Sequence, residues 1–111
     1  GDYQKAAEHL ETAIGILVAT NSEPLDIAVL RRQLGTVYFA QDRFEEAMQE
    51  YRRAHRIYKE KELMETGQGA ELLLDMAIAS AGLVNDTADG TQSFYFAGIQ
   101  AMNTRQDPQH R

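Results

Sequence analysis

Tyr3, Ala6, Ala7, Leu10, Ala13, Ile14 and Leu17 recur at spacings of three and four, while Gln4, Lys5, Glu8 and Glu11 fill the positions between. A period of 3.6 residues gathers the first set on one face, so residues 3–19 are predicted as an amphipathic helix that Asp2 can cap. The polar segment Thr20-Asn21-Ser22-Glu23-Pro24 breaks the pattern. Ser22 is a suitable cap for a second helix, and Pro24 is tolerated only in a first turn, where its missing N–H is no loss. That helix runs to Ala40 and carries Leu25, Ile27, Ala28, Leu30, Leu34, Val37, Tyr38 and Phe39, an apolar stripe wide enough to be covered from more than one side.

Gln41-Asp42-Arg43 reads as a turn, with Asp42 three residues ahead of Glu45 in a capping-box arrangement. A third helix over residues 43–65, roughly 22 residues long, follows from Phe44, Ala47, Met48, Tyr51, Ala54, Ile57, Tyr58 and Leu63. Thr66-Gly67-Gln68-Gly69 is expected to end it, because glycine enters the left-handed backbone region without steric cost. Residues 70–83 form a fourth helix, apolar nearly all round apart from Glu71 and Asp75. Asn85-Asp86-Thr87 is expected to be the next turn and cap, followed by a fifth helix over residues 87–103 and a loose tail over residues 104–111.

Shifting Tyr3, Ala6, Leu10, Ala13, Ile16 and Leu17 by about 41 positions lands on Phe44, Ala47, Tyr51, Ala54, Ile57 and Tyr58. Large side chains meet large ones and small meet small. Internal repetition at this length is the mark of a solenoid in which each helical pair buries its apolar face only against its neighbours. Leu34-Gly35-x-x-Tyr38 with Ala47 and Tyr51 supplies the interlock of one hairpin: Gly35 and Ala47 let two helix axes approach, the large residues fill the space beside them, and Ala54 does the same toward the next hairpin.

These residues resemble the tetratricopeptide repeat, with Gly1, Tyr3, Ala6, Leu10 and Ala13 as the second half of an earlier copy. The resemblance covers residues 1–82 and implies an all-α solenoid of antiparallel helix hairpins, part of a right-handed superhelix with about five helices. Gly1-Asp2-Tyr3 matches the turn in the middle of a repeat, so the chain is expected to begin inside a longer array. The family spacing is about 34 residues, and the longer spacing here is similar to that of kinesin light chains and polarity adaptors, which seat extended or helical peptides in a concave groove. Arg31 departs from the pattern, standing where a large apolar residue is usual, and Ser80 replaces the tyrosine in the last copy.

The resemblance implies that the first helix of each hairpin lines the inner surface. By matching positions this places Val29, Arg32, Thr36, Phe39 and Ala40 there from one repeat, and Glu71, Leu74, Ile78 and Ala81 from the next. The expected function is a protein-interaction scaffold or adaptor that binds a protein or peptide in this groove. The alternatives are a regulatory or sensor module of a larger protein and a homo-oligomerisation module. Arg32 and Thr36 stand where a clamp for chaperone C-termini resembles Lys-x-x-x-Asn, which speaks against that ligand.

Composition narrows the partners. Eleven Lys and Arg against seventeen Asp and Glu give a net charge of −6, a field that repels phosphate backbones and anionic lipid. Neither nucleic acid nor membrane is expected as a ligand, and the chain has no apolar run of about 18 residues that would span a bilayer. Zero cysteines exclude disulfides and thiolate metal sites and fit a cytoplasmic setting. Asn85-Asp86-Thr87 has the form of a glycosylation acceptor, which matters only in a secreted chain.

No constellation points to an enzyme, a metal or a cofactor. His9, His55 and His110 stand alone, without a second ligand at metal spacing. Asn85, Thr87, Asp89 and Gly90 look like half of a calcium loop, but Phe96 occupies the place of the bidentate glutamate. Ser22, Ser80 and Ser93 have no base at a useful spacing. Arg52, Arg53, Arg56, Lys59 and Lys61 give the third helix a basic end that is either a solvated face or a docking patch for an acidic partner. Phe94, Tyr95, Phe96, Ile99 and Met102 surround most of the fifth helix with apolar surface, to be covered by a further repeat or by self-association.

Overall fold

The computed structural model describes residues 1–87. Within them the chain forms four helices and no strand: α1 (Asp2–Ala19), α2 (Pro24–Ala40), α3 (Phe44–Glu60) and α4 (Gly67–Thr87). Each helix packs on the next in sequence, and α2 also reaches α4. This sequential stacking is the solenoid arrangement expected from the repeated pattern. The fifth helix over residues 87–103, its apolar surface, the half calcium loop beyond Thr87, His110 and the tail over residues 104–111 lie outside the described residues.

The α2/α3 crossing shows why the small residues are there. Ala28, Ala47 and Ala54 are 0% exposed, and Tyr51, Tyr58 and Leu34 pack around them. A Cβ on Gly35 would sit 2.7 Å from the Tyr51 ring, closer than real atoms approach, and a tight 3.2 Å from the Ala47 carbonyl oxygen. Gly35 therefore sets the interaxial distance at this crossing, and Tyr51 fills the space that the missing side chain leaves. On the other side of α3, Leu72 and Ala79 of α4 are fully buried, and Gly82 lies against the Phe44 ring.

Three helix ends share one geometry that differs from the sequence expectation. Asn21, Asp42 and Glu62 all adopt positive φ, at 55°, 60° and 58°. Behind each, the next residue's N–H reaches back across the turn: Ser22 to the Leu17 carbonyl at 3.0 Å, Arg43 to Tyr38 at 2.9 Å, and Leu63 to Tyr58 at 2.8 Å. These are Schellman closures, which satisfy carbonyls left without helical partners. Asp42 thus ends α2 instead of capping α3, and Arg43 takes the N-cap position. Ser22 likewise does not cap α2, whose N-cap is Glu23; its hydroxyl lies 3.0 Å from that of Thr20.

The third helix is 17 residues long, not 22, because the chain turns at Glu62 and packs Leu63 and Met64 against the core. Folding them back buries apolar surface that a continued helix would leave on a solvated end. The glycines after it play the opposite part from the one expected. Thr66 and Gly67 open α4: the Thr66 hydroxyl accepts the Gly69 N–H at 3.2 Å, in the manner of an N-cap. A Cβ at Gly69 would meet the Leu63 and Met64 carbonyl oxygens at 2.5 Å, so glycine is needed there for close approach. Nor do Asn85-Asp86-Thr87 form a turn, since α4 continues through them.

Polar ties join the stack across its crossings. The Tyr38 hydroxyl donates to the Glu11 carboxylate, linking α2 to α1, and the Arg43 guanidinium lies over the Tyr38 ring, 4.3 Å from its centroid. Burial first, then the hydrogen bond to an anionic acceptor, pushes the Tyr38 hydroxyl up to about 12. Glu50, 5% exposed, receives Arg31 of α2 at 3.0 Å on one carboxylate oxygen and Arg53 at 2.6 Å on the other. Cations thus meet both oxygens of a carboxylate at that depth, where an unpaired polar group would be costly.

Candidate functional site

Side chains of α2 and α4 meet at one junction, beside a concavity between α2 and α3. Helical spacing sets Val29, Arg32, Gln33 and Thr36 along one stripe of α2, and together with Tyr58 of α3 they line a concavity of about 270 Å³. Tyr58 is 1% exposed and forms its floor. Arg32 lies at the junction of the two repeats: its Nε donates to Asp75 at 3.0 Å and its Nη2 to Glu71 at 3.3 Å, both on α4. Burial alone would weaken the Arg32 charge, but these hydrogen bonds and the Asp75 charge outweigh it and hold the guanidinium firmly protonated. One cation among two anions leaves this junction with net negative charge.

Thr36 is anchored from both sides. Its Oγ1 donates to the Arg32 carbonyl at 3.2 Å and lies 3.0 Å from the Tyr51 hydroxyl. Burial raises the Tyr51 pKa, while the Thr36 hydrogen bond pulls the other way. Phe39 is half-buried, with its ring against Phe44 at a centroid distance of 5.2 Å and a tilt of 58°. Leu74 is 52% exposed on α4, and Ile78, one turn further along the same helix, is half-buried.

Of the residues named from the sequence, the structure therefore gathers Val29, Arg32, Thr36 and Glu71 around one junction. Phe39, Leu74 and Ile78 lie outside the concavity. Sequence reasoning missed Asp75, Gln33 and Tyr58. Asp75 had a visible signal, since it stands one helical turn after Glu71 on the same face. It also missed the Arg31–Glu50–Arg53 cluster. The signal there was Glu50 lying between Ala47 and Ala54 on the buried stripe, opposite an arginine in an apolar position.

Among the described residues, no group of three or more His, Cys, Asp or Glu could hold a metal ion, and no helix is long and apolar enough to cross a membrane. The architecture is that of a helical-hairpin array, and the concavity between α2 and α3 combines apolar, charged and hydroxyl side chains. The tetratricopeptide repeat profile matches residues 1–60, more than half of the chain. The chain belongs to the tetratricopeptide repeat family, whose repeats generally mediate protein–protein interaction and are generally non-catalytic. No curated protein and no solved structure gives a significant match to the chain.

Proposed function

We propose that the chain is a protein-interaction scaffold or adaptor of the cytoplasm, and that the face built by α2 and α4 seats a peptide or helix of a partner. Val29, Arg32, Thr36, Phe39, Glu71, Leu74 and Ile78 contribute the contacts. The observation that carries this reading is the Arg32 junction: a guanidinium fixed by Glu71 and Asp75 beside a concavity between α2 and α3. Such a surface arrives pre-organised, so a ligand need not meet the cost of ordering it. Exposed Leu74 offers an apolar contact beside it. The net negative junction favours a ligand with an apolar anchor and a basic or neutral polar group, and disfavours a free carboxylate.

A peptide-array screen of the full chain identifies ligands, and the same peptides are then tested against Leu74→Asp and Thr36→Arg. Both positions are exposed, and an unchanged melting temperature shows that the fold is intact, which for Thr36→Arg includes surviving the loss of the Tyr51 contact. Binding should weaken by about tenfold or more in each variant. Peptides that bind wild type and both variants equally would refute this surface as the site.

A further inference from the structure

A second concavity, of about 280 Å³, opens between α2 and α3 on another side of the hairpin, lined by Pro24, Ile27, Ala28, Arg31, Arg53, Arg56 and Ile57. On α2, Ile27, Ala28 and Arg31 form a stripe turned well away from Val29, Arg32 and Thr36, so the two concavities share the helix without sharing a wall. Its floor is apolar and its edges are cationic. Three arginines surround it, and the buried Glu50 carboxylate meets only Arg31 and Arg53. Arg56 is exposed and makes no ion pair among the described residues, and exposed Arg52 and Lys59 extend the same stripe along α3. This local excess of positive charge stands out on a chain whose net charge is −6.

We infer that this concavity is a docking site for an acidic segment of another polypeptide, one that places an aliphatic or aromatic side chain on Ile27 and Ile57 and its carboxylates on Arg56, Arg53 and Arg52. Charge complementarity selects the occupant. An anionic segment gains from the field of the arginine edge, while the negative remainder of the surface disfavours its binding elsewhere. Glu50 does more than neutralise: by holding the Arg31 and Arg53 guanidiniums from below at 3.0 Å and 2.6 Å, it fixes the donors that remain to meet incoming carboxylates. The apolar floor makes the site more than a counterion cloud, because a purely charged segment would leave Ile27 and Ile57 in water. The site is independent of the inner face formed by α2 and α4.

The test uses the full chain and three fluorescein-labelled peptides: one of alternating Glu and Asp with a central Leu, its Gln and Asn counterpart, and its Lys counterpart. Fluorescence anisotropy should show binding of the acidic peptide alone, weakening as salt rises. Amide shifts in its complex should centre on Ile27, Ala28 and Ile57. Arg56→Glu should weaken it by about tenfold or more, with an unchanged melting temperature showing that the fold is intact. Leu74→Asp, on the inner face, should leave this affinity unaltered, and that result separates the two sites. The inference is overturned by no binding of the acidic peptide, by equal binding of the amide peptide, by shifts confined to Val29, Thr36 and Leu74, or by full affinity in Arg56→Glu. Self-association of the chain abolished by Arg56→Glu would overturn it in favour of a second copy as occupant.

Discussion

Helices α1 and α3 carry the same sequence pattern and meet different fates. Ala54 is 0% exposed, whereas Ala13, its counterpart, lines an open concavity of about 450 Å³ with Glu8, His9, Thr12 and Ile16. Tyr51 is 3% exposed and its counterpart Leu10 is only half-buried; Tyr3 and Ile16, at 56% and 58%, match Phe44 and Ile57, which are both half-buried. The cause is neighbours, not residues. α3 lies between α2 and α4, while among the described residues α1 packs only on α2. A repeat pattern states which face a helix can bury, and the stack decides whether anything arrives to bury it.

The contrast can be broken most strongly at the large core position. Tyr51→Ala removes the ring that fills the Gly35 crossing and should cost about 3–5 kcal/mol, whereas Leu10→Ala should cost about 1–2 kcal/mol because the side chain is already half in water. Chemical denaturation of both variants checks the ratio, and equal losses would show that α1 is as well packed as α3. Next in size is the buried carboxylate. Glu50→Ala strands Arg31, whose side chain is 23% exposed, and should cost roughly 2–3 kcal/mol. His9 stands at the matching place on α1 and is exposed, so His9→Ala should change stability by no more than about 0.5 kcal/mol.

Alkali sharpens the comparison by acting on the tie between α1 and α2. The Tyr38 hydroxyl has its folded pKa raised from 10.0 to about 12, so the folded state holds its proton more tightly than the unfolded chain does. The resulting stability is fully present below pH 10 and is lost as pH rises through 12, a loss on the order of 2 kcal/mol. Among the five tyrosines, Tyr38 and Tyr51 both titrate later than a free phenol, and ultraviolet titration should show a late component from which Tyr38→Phe removes one tyrosine. Hydrogen exchange should place the first alkaline opening at α1, not at the α2/α3 crossing. A simultaneous opening of all helices would show that the stack behaves as one unit. The smallest effect concerns bulk at the small positions. Ala54→Leu should overpack the α3 core by about 1–2 kcal/mol, while Ala13→Leu has open space before it and should be neutral or slightly stabilising. Thermal melts of the pair measure the difference.

Much of the architecture could be read before any coordinates. Four of the five expected helices lie among the described residues, and Gly35, Ala47, Tyr51 and Ala54 occupy the crossing their sizes suggested. Helix ends were less legible. Asp42 has a residue type that suits both an N-cap and a left-handed C-terminal position, and Glu62 carries no signal for positive φ at all. Gly67 and Gly69 looked like a stop because glycine's freedom is visible in sequence, whereas the carbonyls of Leu63 and Met64 that demand a missing Cβ at Gly69 are not. In the candidate site, Val29, Arg32 and Thr36 of α2 were named by matching positions to the family pattern. The pairing with Asp75 was not legible that way, since Arg32 and Asp75 are brought together only by the stacking of two repeats.

The order of side-chain sizes along this chain determined by itself that it folds as stacked helical hairpins, because helical periodicity and close approach at small residues are local or near-local demands. Tertiary structure alone decided which charges would be spent on one another. Arg31 and Arg53 converge on Glu50, Arg32 is held between Glu71 and Asp75, and Arg56 remains open to solvent. Arg53 and Glu50 stand three apart on α3, but the pairs of Arg31 with Glu50 and of Arg32 with Glu71 and Asp75 depend on distances across crossings, which no spacing along a single helix encodes.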